Sequence, residues 1–323
     1  MKRVNFFILK FILLLFPYLL LSDGHIFVYH RFDDSRYPTT NISTSTLKRE
    51  FDYLKKHNYK VVPLMDIVKK IQNREKVPDN WVAFTIDDGF KSFYTNGLPV
   101  FKRYGYPFTL FIAVKYTEEN YRDYVTWRQL KEISKYGSVE FHSYGHGHFG
   151  RMSSEKIRAD MDKGLSLMKK HLNYKPKLFV YPYGEYDSRV KKIIESYGFQ
   201  AVFNQNMGAV NGVCSNIYDI DRSAVVGSNA KDFKLYLYFK ELCGVTFQKP
   251  LKYPKDKIVK TVEVTLNDKS IESADIFISN HGWHRVKVNN GKIVYHANKR
   301  VNRERIKIGV KVKNRIKLMV LSK

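Results

Sequence analysis

Residues 81–89 read WVAFTIDDG, a run of β-forming residues that stops on two adjacent carboxylates, Asp87 and Asp88, before Gly89. Acidic groups at the point where a buried strand meets a loop are characteristic of the sites that α/β enzymes build. Successive strand side chains point to opposite faces, so the two aspartates serve different surroundings. Two ionised carboxylates this close repel unless a cation or a shared proton relieves them, which makes one of the pair a candidate metal ligand.

Outward from this stretch, strand and helix signals alternate. β-type runs are expected at 25–30 (HIFVYH), 108–114, 139–141, 178–181 and 199–203. Between them, helical patterns are expected at 46–57, 65–72, 90–104, 127–136, 153–172 and 188–197. Such alternation predicts an α/β fold with a parallel sheet or barrel. A barrel is selected because the chemically interesting residues follow separate strands: His30, Asp87 and Asp88, His142, then Pro182 and Tyr183. A β/α barrel gathers those strand ends at one face. Past residue 255 the pattern changes to short β runs at 261–266, 275–279, 285–288, 292–296 and 305–312, parted by turn signals such as Asn289-Asn290-Gly291. The expected organisation is an N-terminal segment 1–22, a barrel over 23–255 and a small antiparallel β domain over 256–323.

The 323 residues, 44% hydrophobic and 15% aromatic, suffice for packed cores and exclude a disordered chain. Lys2 and Arg3 followed by the apolar run 6–21 and then Ser22 read as a secretory signal or an uncleaved membrane anchor, so the chain is expected in the periplasm or cell envelope. The formal net charge of +25 favours anionic partners, a membrane or envelope surface among them. Export argues against nucleic acid. The basic residues are spread along the chain, which is also how solvated helix faces look. Only Cys214 and Cys243 are present, which excludes a disulfide framework and a cysteine zinc site but leaves a single bridge open.

The second informative stretch is 141–150, FHSYGHGHFG. Two imidazoles a few residues apart converge readily on one ion, and a carboxylate from another strand completes a set with open positions. His142, His146 and one of Asp87 and Asp88 make such a set, whereas alone the histidines would read equally well as a polar loop. His148 is expected outside it. Zinc, cobalt, nickel and iron all suit these donors. Among the aromatics, Tyr29, Tyr144, Tyr181 and Tyr183 are candidates for a sugar groove, and Trp283 is expected buried in the β domain rather than stacked on a glycan.

Together TIDDG at 85–89, HSYGH at 142–146 and YPYG at 181–184 resemble the three leading motifs of the polysaccharide deacetylases, the NodB-homology domain of carbohydrate esterase family four. The likeness extends over most of 25–226. It implies a distorted (β/α)7 barrel, Asp87 as catalytic base, and Asp88, His142 and His146 as ligands of one divalent metal ion, zinc foremost. It also implies the Tyr183 backbone N–H as an oxyanion donor. VYHRF at 28–32 resembles the N-terminal element of poly-N-acetylglucosamine deacetylases, which implies His30 as general acid and an acetylated amino-sugar polysaccharide as substrate. N-deacetylation of peptidoglycan, O-deacetylation of another exported glycan and a non-catalytic glycan binder that retains the barrel are the alternatives. Many members carry arginine where this chain has Val180; Arg222, near another expected strand, is the candidate to orient Asp87 instead.

Overall fold

A computed structural model describes residues 23–227 and 232–323. The signal or anchor read over 1–22 lies outside the described residues, and among these no helix is long and apolar enough to cross a membrane.

Seven strands run parallel around the barrel: β1 (Asp23–Tyr29), β2 (Trp81–Ile86), β3 (Thr109–Ile112), β4 (Ser138–Phe141), β5 (Leu178–Val180), β6 (Ala201–Phe203) and β7 (Ser223–Ala224). Each of β1 to β5 pairs with the next, β7 lies on the other side of β1, and an isolated bridge from Phe203 of β6 to Ile220, just before β7, brings the two edges together. The strands are apolar on both faces; β1 is buried along its whole length, as expected of a parallel sheet covered by helices. Helices α1 (Thr44–Lys56), α2 (Leu64–Gln72), α3 (Leu98–Tyr104), α4 (Trp127–Ile133), α5 (Ser154–Leu172) and α6 (Ser188–Glu195) supply that cover. Their starts are chemically marked: Ser43, Ser153 and Asp187 cap α1, α5 and α6, and Thr126 with Gln129 forms a capping box on α4. The helix expected over 90–104 is broken. A π turn at Phe93–Gly97 precedes α3, and the close contact of Phe93 and Phe32 with Gly97 leaves no room for a side chain there.

The C-terminal region comprises β8 (Lys240–Glu241), β9 (Val245–Lys249), β10 (Ile258–Leu266), β11 (Ser273–Ile278), β12 (Gly282–Lys287), β13 (Lys292–Arg300), β14 (Arg305–Val312) and β15 (Arg315–Ser322). They form two sheets, ordered β8-β15-β14-β11-β12 and β9-β10-β13. Alternation along β10 and β11 puts one face of each strand into a shared core with Val262, Val264, Ile276, Ile308 and Val310. Pairing in these sheets begins at Lys240, upstream of the boundary expected after 255, because β8 and β9 take their partners from β15 and β10 far along the chain. The barrel and the β domain are packed together: Ile316 and Leu318 join the barrel's core, and Phe277 and Trp283 pack against it. Trp283 is thus half-buried beside Phe277 with Lys311 over its ring. A disulfide joins Cys214, after β6, to Cys243, between β8 and β9.

Candidate active site

β2 delivers Asp87 and Asp88 to the C-terminal rim. Asp88 and Gly89 both adopt left-handed backbone (φ 75° and 82°), which turns the chain sharply off the strand and parts the two carboxylates. Asp87 is fully buried and held in a two-pronged pair by Arg222: Nη1 to Oδ1 at 2.8 Å and Nη2 to Oδ2 at 2.7 Å. Arg222, itself without solvent exposure, is fixed further by Nη1 to Thr85 Oγ1 and Nε to the Asn204 carbonyl, each 2.9 Å. Burial pushes the Asp87 carboxyl up, but the charge and hydrogen bonds of Arg222 more than offset this and hold it below the usual carboxylate range. Val180 lies in the apolar core and contributes only its backbone to the rim.

That backbone matters to His142. Its Nδ1 lies 2.9 Å from the Val180 carbonyl, which can only accept, so the imidazole carries its proton there and turns a lone pair on Nε2 inward. His146 follows on a loop in which Ser143 and His146 both have positive φ. Asp160 of α5 pins this loop by accepting from the N–H groups of Tyr144 and Gly145 at 2.8 Å each. Nε2 of His142 and Nε2 of His146 end 3.0 Å apart, and both face Asp88 Oδ1, at 3.4 and 3.2 Å. One proton cannot satisfy two imidazole nitrogens and a carboxylate oxygen that converge this way, whereas one cation satisfies all three. The three ligand atoms lie within 4.8 Å of one another, so this donor set fits a divalent ion. Burial raises the Asp88 carboxyl, yet the two imidazoles that face it bring it well below the ordinary value. Burial lowers His146, and its bond to Asp88 reverses that and raises it.

His30 emerges from the end of β1. Burial depresses its pKa, opposed by the nearby charges of Asp88 and Asp87. Its Nε2 lies 3.3 Å from the side-chain nitrogen of Gln205, which is also 3.5 Å from Asp87 Oδ2. Tyr183 completes the rim in a left-handed backbone conformation (φ 60°, ψ 5°). Its ring stacks on His148 at 4.0 Å and meets His146 edge-on, while His148 Nδ1 pairs with Glu185 at 2.8 Å. All seven expected site residues are therefore at one rim, and His148 stands behind them as anticipated.

The aromatic expectations divide. Tyr29 and Tyr181 are core residues, Tyr29 donating to buried Glu50. Tyr144 is half-buried over α5 with its hydroxyl on Glu119. Tyr116, Tyr121 and Tyr124 instead form an aromatic cluster near Asp88, Tyr116 and Tyr124 stacked at 4.4 Å. Sequence reading also passed over Gln205 and Asp160. The run Asn204-Gln205-Asn206 directly after β6 is the signal that could have found Gln205, since amides rarely crowd a strand end without partners to satisfy.

Comparison with known proteins gives the same direction. Residues 74–202 match the family model described as polysaccharide deacetylase. Poly-beta-1,6-N-acetyl-D-glucosamine N-deacetylase of Escherichia coli K12 is 24% identical over 213 residues, 53% of this chain and 32% of that protein. Chitin deacetylase 2 of Saccharomyces cerevisiae is 32% identical over 118 residues, 36% of this chain and 35% of that protein. The chain thus spans about a third of the length of each of these two relatives. Among solved structures, IcaB from Ammonifex degensii superposes with a TM-score of 0.59 at 24% identity, covering 67% of this chain and 97% of its own. A Streptococcus pyogenes deacetylase in complex with acetate gives 0.60 at 18% identity, covering 66% and 97%. At such identities the superpositions establish the fold, the (β/α)7 barrel.

Proposed function

We propose that the barrel is a polysaccharide deacetylase domain, as the family match over residues 74–202 supports, and that the protein is a metal-dependent hydrolase that removes N-acetyl groups from an exported amino-sugar polysaccharide of the poly-N-acetylglucosamine kind. The observation that carries this reading is the division of labour in the aspartate pair: Asp87 faces Arg222 while Asp88 faces His142 and His146.

Asp88, His142 and His146 would hold one divalent cation, with zinc the foremost candidate. Such a cation supplies polarisation of the acetyl carbonyl and a lowered pKa for water at the site. Asp87, kept ionised by Arg222, accepts the proton of the attacking water. The Tyr183 N–H is the donor for the oxyanion that develops on the carbonyl oxygen. His30 delivers a proton to the leaving amine, so that the C–N bond breaks to acetate and a free amino sugar. Arg222 acts as a positioning residue, because its two bonds to Asp87 fix the carboxylate plane.

The N-terminal signal, the disulfide and the excess of basic residues suit a protein of the periplasm or cell envelope working near an anionic surface. Acetate release from poly-N-acetylglucosamine, chitin oligomers, peptidoglycan and acetylated xylan, with and without chelator, tests the proposal. Chelator-sensitive release from an N-acetylated glycan is expected; release only from acetylated xylan, or none at all, overturns it.

A further inference from the structure

Strand β14 alternates. Ile306, Ile308 and Val310 point into the core of the β domain, so Arg305 and Lys307 lie on its opposite face. Both reach the rim of the barrel. Arg305 Nη1 donates to the carbonyl of Tyr183, and Lys307 Nζ donates to the carbonyl of Gln205 at 3.1 Å. Neither barrel residue is incidental. Tyr183 holds a left-handed backbone that a non-glycine residue keeps only when its surroundings impose it. The bond from Arg305 fixes the peptide after Tyr183 and with it the turn that aims the Tyr183 N–H. Gln205 places its side-chain nitrogen within 3.3 Å of His30 and 3.5 Å of Asp87, between the two groups assigned to proton transfer. The bond from Lys307 anchors the backbone from which that amide projects. Lys307 is held there at a cost: burial and the charge of Arg305 push its pKa down to about 8.

We propose that the C-terminal β domain completes the active site, with Arg305 and Lys307 acting as positioning residues for Tyr183 and Gln205. The inference rests on the deacetylase reading of the rim and deepens it: the barrel's oxyanion donor and its acid–base pair are set from outside the barrel. Misplacement of such groups by a fraction of an ångström is felt in the chemical step rather than in substrate binding.

The test uses the full-length, metal-loaded protein with Arg305→Ala, Lys307→Met, Gln205→Ala and the double variant Lys307→Met/Gln205→Ala. The expected result is kcat lower by ~10-fold or more with KM changed by less than about twofold, and a double variant no worse than Gln205→Ala alone. Backbone amide exchange is expected to quicken at 182–185 in Arg305→Ala and at 204–207 in Lys307→Met. Arg305→Lys, which keeps a donor, should recover most of the loss and stands in if Arg305→Ala does not fold. Wild-type kcat in the folded variants, a change confined to KM, or unaltered exchange at both segments would overturn the proposal. If the wild-type chain itself releases no acetate while the exchange changes appear, the deacetylase reading falls and the positioning contacts stand.

Discussion

A buried carboxylate is costly unless a hydrogen-bonded cation accompanies it, and Asp87 meets that condition through Arg222 alone among the arginines and lysines of the described residues that pair with it. Arg222→Ala strips the pair and leaves Asp87 charged in a dry site. The expected loss is ~3–5 kcal/mol in stability, read by denaturant unfolding, with kcat lower by at least ~10²-fold. Arg222→Lys should not restore the rate, because a point charge cannot grip both carboxylate oxygens. Intact activity and an intact pH profile in Arg222→Ala would remove Arg222 from the account. The aspartates and histidines of the rim were legible in the sequence because their chemistry is local: two adjacent acids after a β run, and imidazoles four residues apart. Gln205 was not, since an amide carries no charge and its meaning comes only from His30 and Asp87, brought to it by the fold.

At the scale of elements, β1 and α1 meet through a polar pair that the apolar pattern of 25–30 and 46–57 conceals. Tyr29 on β1 donates its hydroxyl to Glu50 on α1 at 2.7 Å in the barrel core. Burial pushes the Glu50 carboxyl up to about 8, only partly countered by the Tyr29 bond. The folded state therefore binds a proton that the unfolded state has released once pH exceeds about 4.5, so stability falls from there up to about pH 8 and then levels. The loss is on the order of 4 kcal/mol. Glu50→Gln should abolish this decline, so that its stability relative to wild type rises between pH 5 and 8.5 in urea titrations; parallel pH dependence in both proteins would contradict the assignment. The helix starts were readable because capping residues sit beside the first turn. The π turn before α3 was not, because it answers to Phe32 and Phe93 packing on Gly97.

For the whole molecule, the joint between barrel and β domain is built around Lys317 of β15, which contacts Asp221 at 3.0 Å and Glu241 at 2.8 Å. Burial pushes the Lys317 ammonium down, but the two carboxylates prevail and raise it, while burial raises Glu241 to about 8. Lys317→Met leaves two buried acids without their cation. Stability should fall by on the order of 3 kcal/mol at neutral pH, where Glu241 already holds its proton and Asp221 carries the charge, and by less in mild acid, where Asp221 takes up a proton too; a loss independent of pH would count against the triad. The β character of the last third was visible in its alternation, but not its reach back to Lys240. A two-residue strand such as β8 has no pattern of its own and exists because β15 pairs with it. Nor could spacing show that β14 would lie against the rim of the barrel, where Arg305 and Lys307 meet Tyr183 and Gln205.

The central claim is that the two adjacent aspartates have separate work, Asp87 on the proton and Asp88 on the metal. The most direct test is one pairing of measurements on Asp87→Asn: bound divalent metal, and the rate of acetate release from an N-acetylated amino-sugar oligomer. The account predicts metal retained at the wild-type stoichiometry with release slowed by ~10²-fold or more. Loss of the metal in that variant, or release at the wild-type rate, would contradict it.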